Sequence, residues 1–109
     1  MTVKQLCESL GFEALALPSP EREINGVYIG DLLSWVMGKA ESDNAWITIM
    51  SNVNIVAVAT LTDVSFILLA EGVMPDGDVI KLAEAKGVNL LKTSLSAYEA
   101  ALALAGTDK

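Results

Sequence analysis

The chain of 109 residues contains no histidine and a single cysteine, Cys7. Without histidine, the commonest general base is missing, and so are the nucleophile systems that depend on it. One cysteine excludes an intrachain disulfide, a CxxC pair and a thiolate-based zinc or iron–sulfur set. We therefore expect no catalytic residue, no cofactor and no metal site, and we interpret Cys7 as a packing residue.

Positive charge is also scarce, since seven Lys and Arg stand against fourteen Asp and Glu and leave a net charge of −7. Such a chain is a poor match for nucleic acid or for an anionic membrane surface. No glycine-rich loop is followed by Lys and Ser or Thr, so a nucleotide would lack the usual phosphate cradle. We interpret the acidic charge as what keeps a strongly apolar small domain in solution.

An uninterrupted apolar run of membrane-spanning length is missing as well, although 52% of the residues are hydrophobic and only 19% are charged. Between residues 45 and 70 the only charge is Asp63. Polar residues break this stretch at two points and its flanks are acidic, so we interpret it as strand, helix and strand. The chain opens with an amphipathic helix in place of a secretory leader. We expect one cytoplasmic domain over residues 1–109.

What the chain does contain is a unit repeated three times from Trp46 to Ala105: an apolar run, a polar turn and a helical pattern. The apolar runs begin near Trp46, Ser65 and Val88. Consecutive parallel strands need a crossover connection of this length, and strands covered on both faces lack clean alternation. The sequence therefore predicts an α/β fold, with a small, mostly parallel sheet, helices on both faces and three consecutive strand–turn–helix units.

Local signals predict the other elements. Thr2 with Gln5 forms a capping-box pattern and Gly11 suits a C-terminal cap, which indicates a helix over residues 3–10. The remaining predictions are strands over 13–17 and 23–29, a helix capped by Asp31 and ended by Gly38, and helices over 55–61, from Asp76 to Lys86 and after Ser96.

Polar turns follow all three strands of the repeat. In α/β sheets, ligands bind at the carboxyl ends of the strands, and hydroxyls, amides and helix N-terminal N–H groups suit a small anion or phosphate. Helix capping explains the same residue types equally well. The candidate ligand-binding residues are Ser51, Asn52, Asn54, Glu71, Thr93 and Ser94. Because Glu71 directly follows an apolar strand, we expect it to be partly buried.

The helix predicted over residues 55–61 is apolar all round, so it must be covered on every side. Either it is central in the monomer, or a second copy covers its outer face. We expect a homodimer. The candidate contacts are Ile55, Val56, Val58 and Ala59.

Three segments, in this order and spacing, carry a resemblance to a known family: Ile47–Ala59, Ile67–Pro75 and Leu90–Thr93. They resemble the DRTGG domain family, which is similar to the N-terminal domain of HPr kinase/phosphorylase. The Asp-Arg-Thr-Gly-Gly run aligns with residues 52–56, where its charged pair and glycines are absent. The resemblance implies an α/β sandwich and a non-catalytic regulatory or dimer-forming role, as in members fused to phosphotransacetylases or to CBS modules of pyrophosphatases.

These observations leave three hypotheses of function. The first is a cytoplasmic regulatory or adaptor module that self-associates and modulates a metabolic enzyme through a protein partner. The second is a sensor that binds a small anion or a nucleotide at the carboxyl ends of the strands. The third is an enzyme in which Glu71 or Asp76 works with a metal.

Overall fold

The computed structural model describes residues 1–107, which form five strands and five helices. The strands are β1 (Glu13–Ala16), β2 (Val27–Ile29), β3 (Ala45–Thr48), β4 (Phe66–Leu69) and β5 (Leu90–Lys92). The helices are α1 (Val3–Leu10), α2 (Leu33–Lys39), α3 (Asn54–Thr62), α4 (Val79–Lys86) and α5 (Ala97–Ala105). The strands pair in the order β1-β5-β4-β3-β2, and β1 alone runs antiparallel to its neighbour. The predicted mostly parallel α/β sheet is confirmed.

Helices cover both faces of this sheet. The helices α2, α3 and α4 connect the parallel strands and pack on one face, around Trp46 and Ile67. The other two, α1 and α5, pack on the opposite face, around Ile47 and Leu68. Every side chain of β3 and β4 is buried, as expected of central strands covered on both faces. No helix within residues 1–107 is long and apolar enough to cross a bilayer.

The ends of α1 and α5 follow the local sequence signals. Thr2 with Gln5, and Ser96 with Glu99, form capping boxes in which both reciprocal hydrogen bonds are present. Gly11 closes α1 in the left-handed conformation, with φ 74°. These predicted helix boundaries are confirmed.

Three predicted helix ends are wrong. Gly38 does not end α2, which continues to Lys39 and is capped at Ala40. Asp31 does not cap α2; its carboxylate accepts hydrogen bonds from the Thr48 hydroxyl at 2.8 Å and from the Ile49 N–H at 3.0 Å. These donors are available because β2 and β3 end side by side. Asp76 does not cap α4, which begins at Val79 without a side-chain cap. For Asp31, donors from the neighbouring strand replace the local ones.

The strand predicted over residues 23–29 is shorter than expected. Only β2, Val27–Ile29, forms, since Gly26 takes a left-handed conformation with φ 84°. The preceding segment packs against the amino ends of the strands, where Asn25 N–H donates to the carbonyl of Asp43 at 2.9 Å. The bend at Gly26 therefore marks the start of β2 and separates this strand from the segment before it.

One face of the helix α3 is covered by its own chain, while Ala57, Thr60 and Leu61 are exposed. Its four predicted dimer contacts lie in the core beside the sheet, and none is more than 5% exposed: Ile55, Val56, Val58 and Ala59. The helices α2 and α4 flank α3 on both sides, so the chain supplies the cover that a second copy was expected to supply. The assignment of these four residues to a dimer contact is corrected, whereas self-association itself stays a prediction.

Candidate functional site

The loops after β3, β4 and β5 lie together at the carboxyl edge of the sheet. The Glu71 N–H, after β4, donates to the Leu95 carbonyl in the loop after β5 at 2.8 Å. The Asp76 N–H donates to the Ser51 carbonyl in the loop after β3 at 2.9 Å. The middle loop is therefore joined by main-chain hydrogen bonds to the loop on either side.

The chain changes direction between β4 and β5. The strand β4 leads to α4 on one face of the sheet, whereas β5 leads to α5 on the other. Such a divergence opens the crevice in which α/β proteins commonly bind ligands. Here the two loops are joined across it, because the Gly72 N–H also donates to the Thr93 carbonyl at 2.9 Å. The base of the crevice is closed, so the candidate site is the outer surface of the loops.

Two of the candidate residues use their side chains inside their own turns. Asn52 Oδ1 accepts a hydrogen bond from the Asn54 N–H at 2.9 Å, and Thr93 Oγ1 accepts one from the Leu95 N–H at 3.2 Å. These are the local turn bonds that Asn and Thr favour. Stabilisation of these turns, the alternative to ligand binding, therefore accounts for the side chains of Asn52 and Thr93.

The N–H groups in the first turn of α3 also have partners within the chain. In addition to the bond from Asn54, the Ile55 N–H donates to the Asn52 carbonyl at 3.2 Å and the Val56 N–H to the Val53 carbonyl at 3.1 Å. Anion binding at a helix N-terminus depends on free N–H groups. The start of α3 does not offer them, so any ligand at this edge must be recognised chiefly by side chains.

Glu71 is distinguished from the other candidates by its backbone. Its φ is 60°, a left-handed conformation that is uncommon outside glycine, asparagine and aspartate. Its side chain is exposed, so the expected partial burial is wrong; the chain turns outward directly after the buried Ala70. Among the described residues, nothing forms a hydrogen bond or ion pair with its carboxylate. Strain at a residue without a structural partner is often found at functional positions.

Three further candidates, Ser51, Asn54 and Ser94, keep their side-chain polar groups free of hydrogen bonds to any residue in the described range 1–107. Ser51 is half-buried, while Asn54 and Ser94 are exposed. Together with Glu71 they form the open polar surface of the three loops. This surface can offer hydroxyl and amide groups and one carboxylate to a ligand.

The side chains that could support catalysis or metal binding lie apart from one another within residues 1–107. In the part of the chain that the structure describes, no three His, Cys, Asp or Glu side chains lie close enough to hold a metal ion. Cys7 is half-buried against the face covered by α1 and α5, and this burial raises the pKa of its thiol. Because the thiolate is the nucleophilic form, a raised pKa fits the predicted packing role.

An apolar groove of about 340 Å³ lies on the outer side of α3 and α4. It is lined by Val56, Ala57, Thr60, Leu61, Leu82 and Lys86. The sequence signal for this groove is the apolar character of α3, whose exposed flank forms one wall.

The segment from β2 through α2 concentrates exposed apolar side chains. Five of the twelve large apolar side chains that are exposed within residues 1–107 lie here: Val27, Ile29, Leu32, Trp35 and Met37. Asp31 is the only charged residue between positions 27 and 37. Exposed apolar surface of this kind is typical of protein–protein contacts.

Sequence reasoning missed this surface. Of the two tryptophans, Trp46 is fully buried, whereas Trp35 is 60% exposed, with the Lys39 ammonium 5.2 Å from the centre of its ring. The scarcity of charge between residues 24 and 38 is the signal that could have found it.

Comparison with known structures places this architecture in a recognised class of domain. The fold is similar to that in the crystal structure of the CBS and DRTGG domains of the regulatory region of Clostridium perfringens pyrophosphatase, complexed with the activator diadenosine tetraphosphate. The TM-score is 0.73 and the identity 16%, over 94% of this chain and 45% of that one. This chain therefore spans less than half of the length of its structural neighbour.

The sequence comparison identifies the family directly. The DRTGG domain matches residues 5–107, which is nearly the whole chain. The chain belongs to the DRTGG domain family, and the resemblance seen in its sequence is confirmed. A comparison with curated proteins found no match.

Proposed function

We propose that this chain is a non-catalytic, cytoplasmic regulatory module that works through protein contacts and self-associates as a homodimer. The observation that carries the proposal is the exposed apolar surface of β2 and α2, which includes Ile29, Leu32 and Trp35. Two copies that each carry a charge of −7 repel one another. Because this surface contains only one charged residue, Asp31, it is where two copies can meet with least repulsion.

A role in controlling a metabolic enzyme agrees with the family. The DRTGG domain of the structural neighbour is part of the regulatory region of a pyrophosphatase. We infer that this chain acts in the same manner, as a module that regulates the activity of an enzyme and does not itself carry out a reaction. The enzyme would be its protein partner.

Native mass spectrometry and sedimentation equilibrium test the self-association. We expect a species of twice 11.5 kDa that becomes more stable as salt is raised, since salt screens the repulsion between the two acidic copies. A monomer at every concentration and salt level would contradict the proposal.

A second candidate function is a sensor of a small anion or nucleotide on the loop surface. It is favoured by the free hydroxyl and amide groups of Ser51, Asn54 and Ser94 on these loops. The exposed Glu71 carboxylate could accept hydrogen bonds from the hydroxyl or amino groups of a nucleotide, although it repels phosphate. The activator bound in the structural neighbour is a nucleotide, diadenosine tetraphosphate. Asn52 and Thr93 would shape this surface through their turn bonds.

Thermal-shift measurements with inorganic phosphate, ATP and diadenosine tetraphosphate test the sensor. A ligand at a hundredfold excess over its Kd stabilises the folded protein by about 2.7 kcal/mol. We expect Asn54→Ala and Ser94→Ala to remove this shift without lowering the melting temperature of the free protein. Ser34→Ala, at an exposed serine of α2, is the matched control. Three compounds without any shift would exclude these ligands.

A further inference from the structure

The outer edge of β2 carries hydrogen-bonding groups that nothing in residues 1–107 uses. The strand β2 lies at the end of the sheet and pairs only with β3. The Gly26 carbonyl accepts from β3 at 2.9 Å, and the Gly30 N–H donates to β3 at 3.1 Å. Because alternate residues of a parallel strand bond to the same neighbour, Val27 and Ile29 direct their N–H and C=O groups to the open side.

Apart from its short length of three residues, this edge lacks the features that keep sheet edges from pairing. Natural edge strands are guarded by charged residues, prolines, bulges or a covering element. The other edge of this sheet is guarded, since β1 begins with Glu13, has an irregular register between Ala14 and Ala16, and is followed by Pro18. The strand β2 contains Val27, Tyr28 and Ile29, with no charge, no proline and a regular register.

We propose that β2 pairs antiparallel with β2 of a second copy, about a two-fold axis that passes beside Tyr28. Val27 of each copy then lies opposite Ile29 of the other, and each such pair exchanges N–H···O bonds in both directions. The two five-stranded sheets become one continuous sheet. This inference rests on the self-association proposed above and assigns it to an interface.

The strand itself argues for a second copy as the occupant of this edge. In the two-fold arrangement the β-branched side chains Val27 and Ile29 meet across the strands on one face, a favourable cross-strand pair. Tyr28 meets its own counterpart on the other face. The pattern is thus complementary to itself, and it brings no charge of one copy against a charge of the other.

The residues that follow β2 supply the additional apolar area that a dimer needs. A stable interface buries about 800 Å² on each partner, more than a strand of three residues provides. Leu32 and Trp35 continue the exposed apolar surface directly after the strand. In the proposed dimer these two side chains extend the contact beyond β2.

The first test introduces a charged residue on the open edge of β2. Val27→Lys puts a lysine on the strand at a position 38% exposed, and Val53→Lys makes the same change at a position 41% exposed in the loop before α3. By sedimentation velocity we expect Val27→Lys to raise the Kd of the dimer at least about tenfold, the effect of a 1.4 kcal/mol loss. Val53→Lys should leave it unchanged.

The second test removes one main-chain donor without adding charge. In Ile29→Pro the lost N–H is the outward one, so pairing with β3 is kept, and the preceding Tyr28 already has the extended backbone that proline requires. We expect the dimer to be lost. Circular dichroism and the melting temperature establish that both edge variants are folded.

The third test is a cross-link and does not depend on the edge variants. Tyr28→Cys, made together with Cys7→Ser, places two thiols opposite each other on strands whose Cα atoms would be about 4.5 Å apart, which is within the range of a disulfide. Mild oxidation should give a covalent dimer, whereas Glu13→Cys on the β1 edge should not.

The outcomes separate this inference from the proposed function. Unchanged dimerisation in both edge variants, or no cross-link through Tyr28→Cys in a dimeric protein, would overturn pairing through β2 and leave self-association standing. A monomeric wild-type chain would overturn both, and would mean that the β2 edge is not a contact between copies.

Discussion

The amino and carboxyl ends of the parallel strands use their polar side chains in opposite ways. At the amino end Asn89 is buried and joins Ser19 and Ser65 through three hydrogen bonds of 2.8 to 3.0 Å. At the carboxyl end Asn54 and Ser94 are exposed, and their side chains bond to no other described residue. Polar groups that hold the chain together are not available to a ligand, so the comparison separates the structural end from the end that can bind.

The amino end works as a clamp on the segment between β1 and β2. Arg22 pairs with Asp43 at 3.0 Å and with Asp63 at 2.9 Å. The Asn44 side chain donates to the carbonyl of Asn25 at 2.8 Å, and the Ser65 hydroxyl donates to the carbonyl of Glu23. Each bond links residues distant in sequence, so together they hold the segment against the sheet.

Backbone strain is present at both ends but is offset at only one. Asp43, Asp63 and Glu71 all have φ between 60° and 70°. Aspartate tolerates the left-handed conformation better than glutamate does, and Arg22 holds both aspartates in place. The Glu71 carboxylate has no such partner among the described residues, and its conformation is held only by the main-chain bonds of Glu71 and Gly72 to the loop after β5.

The largest expected effect is from Asn89→Ala. The variant leaves the main-chain groups of Ser19 and Ser65 without their partner, so we expect the free energy of unfolding to fall by about 3 kcal/mol. Asn54→Ala, the same change at the other end, should alter it by less than about 0.5 kcal/mol. Urea denaturation measures both values, and equal losses would contradict the division between the two ends.

The next effect is from Arg22→Ala, which breaks both ion pairs of the clamp. The guanidinium is partly exposed, so we expect a loss of about 1 kcal/mol in the free energy of unfolding. Lys81→Ala, at an exposed residue of α4, is the control and should cost little. A stability equal to that of the control would mean that the hydrogen bonds of Asn44, Ser65 and Asn89 hold the segment without the ion pairs.

A gain in stability should follow Glu71→Gly, since glycine adopts the left-handed conformation without strain. We expect the free energy of unfolding to rise by up to about 1 kcal/mol. Asp43→Gly should not raise it, because that variant also loses the ion pair with Arg22. A higher melting temperature in Glu71→Gly and a lower one in Asp43→Gly would support the difference between the two ends of the strands. A loss of stability in Glu71→Gly would show that Glu71 has an unrecognised structural role.

The smallest effect is a dependence on pH at the amino end. The Ser42 hydroxyl, and beside it Arg22, lower the pKa of Asp63. A lowered pKa in the folded state stabilises the protein above the unfolded value of about 3.9, and this contribution is lost as the pH falls below it. Because Asp63 is largely exposed, we expect well under about 1 kcal/mol. NMR titration should show a higher Asp63 pKa in Ser42→Ala; an unchanged pKa would contradict the assignment.

Much of the fold could be predicted because its signals act over a few residues. The capping boxes at Thr2 and Ser96 and the left-handed Gly11 each depend on neighbours three or four positions away. The three strand–turn–helix units follow from apolar runs separated by polar turns. The carboxyl-edge loops were placed by the same reasoning, because parallel strands all end at one edge.

Predictions failed where a residue found a partner from elsewhere in the fold. Asp31 was expected to cap α2, but β3 ends beside it and provides better donors. The sequence assigns four apolar residues of α3 to a dimer contact, but they lie in the core of the monomer between α2 and α4. The sequence could not distinguish these outcomes, because an apolar side chain is stabilised equally by its own chain and by a partner.

The order of the elements, the class of fold and the position of the polar loops follow from local signals, since hydrophobic periodicity and turn chemistry act over a few residues. Which polar side chains form hydrogen bonds inside the fold depends on contacts between residues far apart in the chain. Asn89 and Asn54 are the same residue type, yet Asn89 bonds to Ser19, seventy positions away, and Asn54 faces solvent. The open edge at β2 is likewise visible only once the order of the strands is known, because an edge is a property of the whole sheet.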